Sequence, residues 1–537
     1  MYARIRKNGK TYNKSVLACH NIRIDGKPHP IIVKTFGHSS DEDVLQTLLN
    51  EAKEWIYHNK DEWLQSHLSL KKTIMSDKKK ISVFSLQEEK RINVGMEDIF
   101  GFLYEKLGFN LLLSSTHQKT LRNVLLARIL EPGSKRQLSQ TVEKRFDSDL
   151  PIDRIYRMMD CLNNESDSVE KKIFEATKKS CNNKVSVVLF DVTTLSFESI
   201  SEDELRAFGF SKDFKFNTTQ ITLALATTKD GLPIGYKLFP GNTAESKTLI
   251  ESIRAWRKTF EIEKVTIIGD RAMMSENNLS NLEEAKFKYI VAYPLRKLSK
   301  RYKEQILNEN NYCKISGDKE INRYHIIDLG GRKLFISYSQ KRADKDAKDR
   351  ERLVNKLNKK LATCKDVKRL LNKNGYLKYS NVSGQAVACI DMNKIAEDAR
   401  WDGLHGIITN EDDCDESVFD KYRRLWVIEE SFRINKHTLK MRPIYHFTPE
   451  RIKAHILLCF MAFALVRHAQ YKLTNAGNAM SSGRIIDALR EVQASILVNV
   501  INEEKYKMLS KLSDDAKAIY DAFNIKTTGL SVIRLAQ

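Results

Sequence analysis

The stretch KVSVVLFDVTTLSFES, residues 184–199, decides how this chain is read. Its β-branched and aromatic run predicts a buried strand, and the strand runs into an acid, Asp191. Downstream, TQITLALATTKDGLPIGYKLFPGN (219–242) predicts two strands joined at Lys229-Asp230-Gly231, a strong hairpin signal. AESKTLIESIRAWRKTF (244–260) has helical spacing. KVTIIGDRAMMS (264–275) is a second strand ending in an acid, Asp270, with Arg271 beside it. A helix (276–287) and the strand KYIVAY (288–293) follow. A hairpin, a crossover helix and a further buried strand predict a mixed α/β sheet.

An acid at the end of one strand is commonly a turn residue or a helix cap. Two acids at the ends of two strands of one sheet carry more weight, because catalytic side chains gather at strand ends. An aspartate near an apolar core needs compensation, and a divalent cation supplies it.

The third acid comes from YRRLWVIEESFRINKHTLKMRP, residues 422–443. Seven residues of α-helix turn about 700°, roughly 20° short of two full turns. Tyr422, Glu429 and Lys436 are therefore expected on one face, with Arg433 one turn after Glu429 and Glu430 about 100° away. The plainer reading is a surface helix with a Glu429–Arg433 pair. The two aspartates tip the balance toward Glu429 facing them. Three carboxylates suit two Mg²⁺ ions, or Mn²⁺ in their place, since such ions prefer oxygen ligands and keep several waters.

The rest of the chain sets the context. At 537 residues it is too long for one core. A net charge of +21 and a pI near 9.4 point to a polyanion, with nucleic acid ahead of a membrane surface. The longest apolar run, ILLCFMAFALV (456–466), falls short of the roughly 20 residues of a membrane span and reads as a buried helix. The N-terminus has no apolar signal region. The eight cysteines form no C-x-x-C pair, which disfavours a zinc ribbon and suits a reducing cytoplasm, the expected location.

Six regions are expected: strands, a helix and a lysine-rich linker (1–92); a helical, candidate DNA-binding region (93–180); the first part of the α/β core (181–293); a charge-rich insertion (294–402); the second part of the core (403–475); and a helical C-terminal region (476–537).

Together, LFDVTTL, IIGDRAMMS and YRRLWVIEESFRINK resemble the DDE transposases of bacterial insertion sequences. The branch they are most similar to carries a Tyr-Arg-Glu-Lys signature. Tyr422, Glu429 and Lys436 match it, while the arginine position falls on Leu425, so Arg424 or Arg433 is expected in its place. GNTAES (241–246) and RPIYHFTPERIKAHILLCF (442–460) also look typical of this group. The resemblance implies a ribonuclease H-like sheet whose third acid arrives on a later helix. The gap from Asp270 to Glu429 is about twice that from Asp191 to Asp270, and the longer gap accommodates an inserted β-rich, charged domain that contacts transposon-end DNA. It further implies metal-dependent cleavage of double-stranded DNA at the ends of the element, then attack of the freed 3′-hydroxyl on target DNA. Such enzymes work as a pair of chains on two ends, so a homodimer on DNA is expected, with no membrane partner. In some relatives a flipped base stacks on an aromatic residue, and Trp401 is the candidate here. The competing readings are a structure-specific nuclease of similar fold and a transposase-derived DNA-binding protein without catalysis.

Overall fold

The computed structural model describes residues 1–537 except 8–12, 25–26, 67–84, 198–199, 210–216, 261–264, 272–274, 315–322, 364–377, 384–386, 413–415, 526–531 and 535–537. Asp25-Gly26, whose residue types signal a hairpin turn, and the lysine-rich stretch 71–80 of the expected linker lie outside the described residues. The chain divides into two units, Met1–Leu86 and Gln87–Gln537.

In the first unit β1 (Tyr2–Lys7), β2 (Lys14–Ile24) and β3 (Lys27–Ser39) form an antiparallel sheet in chain order. The helix Glu42–Ser66 packs on it through Leu45 and Ala52 against Val16. Asp41 Oδ1 accepts the Asp43 amide at 2.9 Å, and Glu42 and Asp43 lie in the first turn, where acids complement the helix dipole.

At the start of the second unit, β4 (Leu86–Asn93, all but its first residue in this unit) is followed by helices. Ser115–Leu130, Ile152–Asn164 and Ser166–Ser180 pack against the long helix Pro449–Asn475. That helix is long and apolar enough to cross a membrane, but 94% of its most apolar window is buried by the protein around it.

The sheet that carries the acids is built from β5 (Val187–Ser196), β6 (Gln220–Thr228), β7 (Pro233–Pro240), β8 (Thr266–Gly269) and β9 (Lys288–Tyr293). Their spatial order is β9-β8-β5-β6-β7. β5, β8 and β9 run parallel, and β5, β6 and β7 form an antiparallel meander. This is the ribonuclease H-like mixed arrangement expected from the sequence. The helix Glu245–Phe260 connects β7 to β8, and Glu276–Glu284 connects β8 to β9. Side chains alternate across β5. Val188, Phe190 and Val192 enter a core with Trp256 and Leu279, while Leu189 and Leu195 enter a core with Ile268, Ile290, Ile428 and Phe432.

Two expectations are corrected. Residues 294–402 are not set apart from the sheet. β10 (Cys313–Lys314), β11 (Arg323–Asp328) and β12 (Lys333–Tyr338) extend it, because β12 pairs antiparallel with β15 (Leu404–Thr409), which pairs with β9. β15 covers the edge of β9 and β12 covers that of β15, while the apolar residues Leu334, Phe335 and Ile336 give β12 two buried faces. β13 (Ser380–Ser383) and β14 (Val387–Ile390) form a separate two-stranded sheet. Nor is 476–537 wholly helical. β16 (Gln493–Asn499), β17 (Lys505–Leu509) and β18 (Val532–Arg534) join β4 in a four-stranded sheet, between and after the helices Ser482–Glu491 and Asp514–Phe523. Ala494, Ser495, Ile496 and Leu497 of β16 are buried in succession, and its backbone pairs with β17, so this short apolar run forms a strand and not a helix.

Gly241, the first residue of the GNTAES motif, permits a close backbone approach. A Cβ there would lie 2.1 Å from the Gln220 carbonyl oxygen and 2.5 Å from that of Ala207. Neither backbone atom can swing aside, since Ala207 and Gln220 exchange two backbone hydrogen bonds. Gly241→Ala is expected to destabilise the protein by about 2–3 kcal/mol. A thermal melt by circular dichroism with an unchanged midpoint counts against this account.

Candidate active site

Asp191 is the fifth residue of β5, not its last. The antiparallel ladder to β6 carries β5 on to Ser196, but the parallel pairing with β8 stops at Leu189↔Ile268. Asp191 therefore stands just past the end of its parallel neighbour, and it is half-buried in an otherwise buried strand. Asp270 immediately follows β8. Each acid lies two residues beyond a member of the pair Leu189↔Ile268, the last at which β5 and β8 are paired. Two residues along a strand preserve the face. Within β5, Asp191 falls on the side of Leu189, where Ile428 and Phe432 pack. Asp191 Oδ1 accepts the Val192 amide at 2.7 Å, and Asp270 Oδ1 accepts the Arg271 amide at 2.6 Å.

The third acid rests on a helix that packs on β5 and β6. The single helix expected over 422–436 is in fact three segments. Glu416–Arg423 ends in i→i+3 bonds through Leu425, an α-helix spans Trp426–Arg433, and a π-turn spans Ile434–Thr438. The tight first joint and the wide last one offset one another in rotation. Val427, Ile428, Ser431 and Phe432 form the buried face, which leaves Glu429 exposed.

Glu430 has a different task. Arg467, with 5% of its side chain exposed, donates to Glu430 Oε2 at 2.9 Å, the Val427 carbonyl at 3.0 Å, Ser431 Oγ at 2.8 Å and Gln470 Oε1 at 3.1 Å. One guanidinium thus fastens the helix of Glu429 to the long core helix. Arg433, 70% exposed, leans toward Glu430 at 3.8 Å and not toward Glu429.

Tyr422 links two of the acids. Burial raises the pKa of its hydroxyl, and the carboxylates of Asp270 and Glu429 add to the effect. Its ring lies 5.2 Å from that of His405 on β15. Burial and the nearby Arg342 push His405 down to about 4, against the pull of Asp270, so the imidazole is neutral at physiological pH. A cleft of about 570 Å³ opens here, lined by Asp270, Arg271, Arg342, Trp401, His405 and Tyr422 among others. The guanidinium of Arg296 lies 5.7 Å from the centre of the Trp401 ring. Arg271, Trp401 and Tyr422 are thus gathered beside Asp270. Arg424 and Arg433 are exposed, and Lys436 is half-buried in the π-turn; none of the three lines this cleft. His405, Arg296 and Arg342 went unnoticed in the sequence. His405 reaches the cleft from β15, Arg342 from the helix after β12 and Arg296 from the turn after β9, and nothing local marks them.

The donor chemistry of the three acids suits a hard divalent cation. Among the described residues, however, no group of three His, Cys, Asp or Glu side chains is gathered closely enough to hold one ion. The expectation of a ready three-acid ligand set is corrected to this extent. The side chains of Asp191, Asp270 and Glu429 do not form such a group.

Residues 183–465 match the transposase DDE domain. The chain belongs to the DDE transposase family. The matched region contains all three acids, and members of this family generally use divalent metal ions. Among solved structures, this transposase is similar to the piggyBac transposase synaptic complex with hairpin DNA, at 9% identity and a TM-score of 0.38, over 74% of this chain and 76% of that one. It is also similar to the Mos1 transposase paired-end complex with the left transposon end, at 13% identity and a TM-score of 0.15, over 29% and 53%. No curated protein matches. The family assignment rests on the domain match and not on these distant likenesses.

Proposed function

We propose that this transposase cuts double-stranded DNA at the ends of its own insertion sequence and joins the freed 3′-ends to target DNA. The observation that supports the reading is the register of two parallel strands, Leu189↔Ile268, two residues before Asp191 and Asp270, with the helix of Glu429 packed on β5. In this reading Asp191, Asp270 and Glu429 hold two Mg²⁺ ions. When bound, such ions supply positive charge at the attacking and leaving oxygens of an in-line phosphodiester displacement. The chain's own groups do the rest. Tyr422, Arg271 and Lys436 hold phosphates near the acids, Arg424 or Arg433 serves as the signature arginine, and Trp401 offers a ring to an unstacked base. The charge-rich segment 294–402 supplies further contacts to the DNA end. Each chain has one acid set, so two chains are required for two ends, and a two-fold dimer on DNA is the simplest assembly. Such an enzyme works in the cytoplasm of a bacterium.

The test uses the purified protein, Mg²⁺ and a duplex carrying the inverted repeats that flank the coding region, with a supercoiled target. Cut ends and joined products are expected. Cutting without joining would make the protein a nuclease, and binding without cutting would make it a DNA-binding derivative.

A further inference from the structure

A second basic cavity, of about 390 Å³, lies apart from the acids and plays no part in the chemistry above. Lys135, Arg136, Lys440 and Arg442 contribute to its wall together with Tyr156 and Tyr445, and no acidic residue lines it. Lys135 is 5% exposed. Its Nζ lies 2.8 Å from His455 Nδ1, while His455 Nε2 lies 2.9 Å from the Met441 carbonyl oxygen. The carbonyl can only accept, so Nε2 carries the imidazole proton and Nδ1 accepts from the lysine. The partner of this buried ammonium is thus a neutral ring and not a carboxylate. Arg128, 1% exposed, is also held by neutral groups, the carbonyls of Leu439 and Gly133. Burying cations without anions is costly, and natural proteins seldom do so without a reason. Burial, with Arg128 adding to it, pushes the Lys135 ammonium well below its usual range. An arriving anion would relieve both effects.

The surroundings specify which anion. Lys135 opens the helix Lys135–Phe146, whose Ser134 forms a capping box with Gln137, so the positive end of a twelve-residue helix also faces the cavity. Tyr445 and Phe447, 62% and 73% exposed, stand on the loop that forms its rim. Cations interleaved with exposed rings are the surface a nucleic-acid strand requires, phosphate against charge and base against ring. The place fits too. Ile444, between Pro443 and Tyr445, bridges to Phe197 at the far end of β5. Six residues of strand separate Phe197 from Asp191, about 20 Å, which is less than the ~34 Å of one duplex turn.

We propose that this cavity binds a backbone phosphate of the DNA strand whose scissile bond lies at the acids, with Lys135, Arg136 and Arg442 as its ligands and Tyr445 beside the adjoining base. The proposal rests on the reading that the protein acts on DNA.

The experiment measures the affinity of the full chain for a labelled mixed-sequence duplex across a NaCl series in EDTA, where no cleavage interferes. Lys135→Met is expected to weaken binding about tenfold, and the slope of log affinity against log salt is expected to become shallower by about 0.9, the value of one lost phosphate contact. The double variant Arg136→Ala/Arg442→Ala, at the rim of the cavity, should lower the slope by nearly twice that, and it carries the test if Lys135→Met does not fold. Lys517→Met, which removes a lysine paired with Asp514, serves as the control and should change neither quantity. Wild-type slope and affinity in the cavity variants overturn the proposal. Failure of the wild type to bind the duplex overturns the functional reading itself. Calorimetry with inorganic phosphate separates the sources. Heat that depends on Lys135, with DNA affinity unchanged in Lys135→Met, would assign the cavity to a free phosphate compound and overturn the DNA assignment.

Discussion

Asp191→Asn, Asp270→Asn and Glu429→Gln are each expected to lower the rate of DNA strand cleavage by about a thousandfold or more, while duplex affinity changes by less than about threefold. Each substitution keeps the shape of the side chain and removes its charge. The loss expected at a cation-dependent phosphodiester displacement is several kcal/mol of charge stabilisation, and each ~1.4 kcal/mol is a factor of ten in rate. Affinity should persist because most of the binding energy comes from cationic side chains meeting phosphates, which the substitutions leave in place. Single-turnover cleavage of an end-labelled duplex in Mg²⁺, beside anisotropy in EDTA, makes both measurements. A Glu429→Gln protein that cleaves at the wild-type rate would remove Glu429 from the site. Loss of both cleavage and binding would point to misfolding.

Arg467→Ala is expected to destabilise the protein by about 3–5 kcal/mol, the cost of leaving one member of a buried charged pair unpartnered. The guanidinium reaches Glu430, Val427, Ser431 and Gln470, so Arg467→Lys should recover little, since a point charge cannot replace the planar fork. The two adjacent glutamates should then separate cleanly. Glu430→Ala strands Arg467 in the core and is expected to lower the melting temperature by several degrees. Glu429→Gln, at an exposed position, should leave the melt unchanged while abolishing cleavage. Calorimetric melts of the three variants beside the cleavage assay decide the matter. A stable Glu430→Ala protein with no cleavage would mean that the roles are reversed.

The strands of the core were legible because their signals are local. A run of β-branched and aromatic residues predicts β5, and Lys229-Asp230-Gly231 predicts the hairpin of β6 and β7. The spacing of Tyr422 and Glu429 was likewise legible, although the helix between them is broken. The compensation between tight and wide turns depends on packing against β5 and on Arg467, and neither is local in sequence. For the same reason the edge strands β11 and β12 were read as part of a separate module. Their short apolar runs announce strands but cannot say which sheet they join, since β12 pairs with β15 across roughly seventy residues of sequence.

By itself, then, the sequence determined the residue types that the chemistry needs and the local elements that carry them, because hydrophobic period and turn chemistry act over a few residues. The tertiary structure supplies what no local signal holds: the register that pairs Leu189 with Ile268, two residues before each aspartate, and the buried guanidinium that binds Glu430 while Glu429 stays exposed. Register and rotation are set by the mutual burial of residues far apart in the chain, and that burial is settled only when the whole core packs.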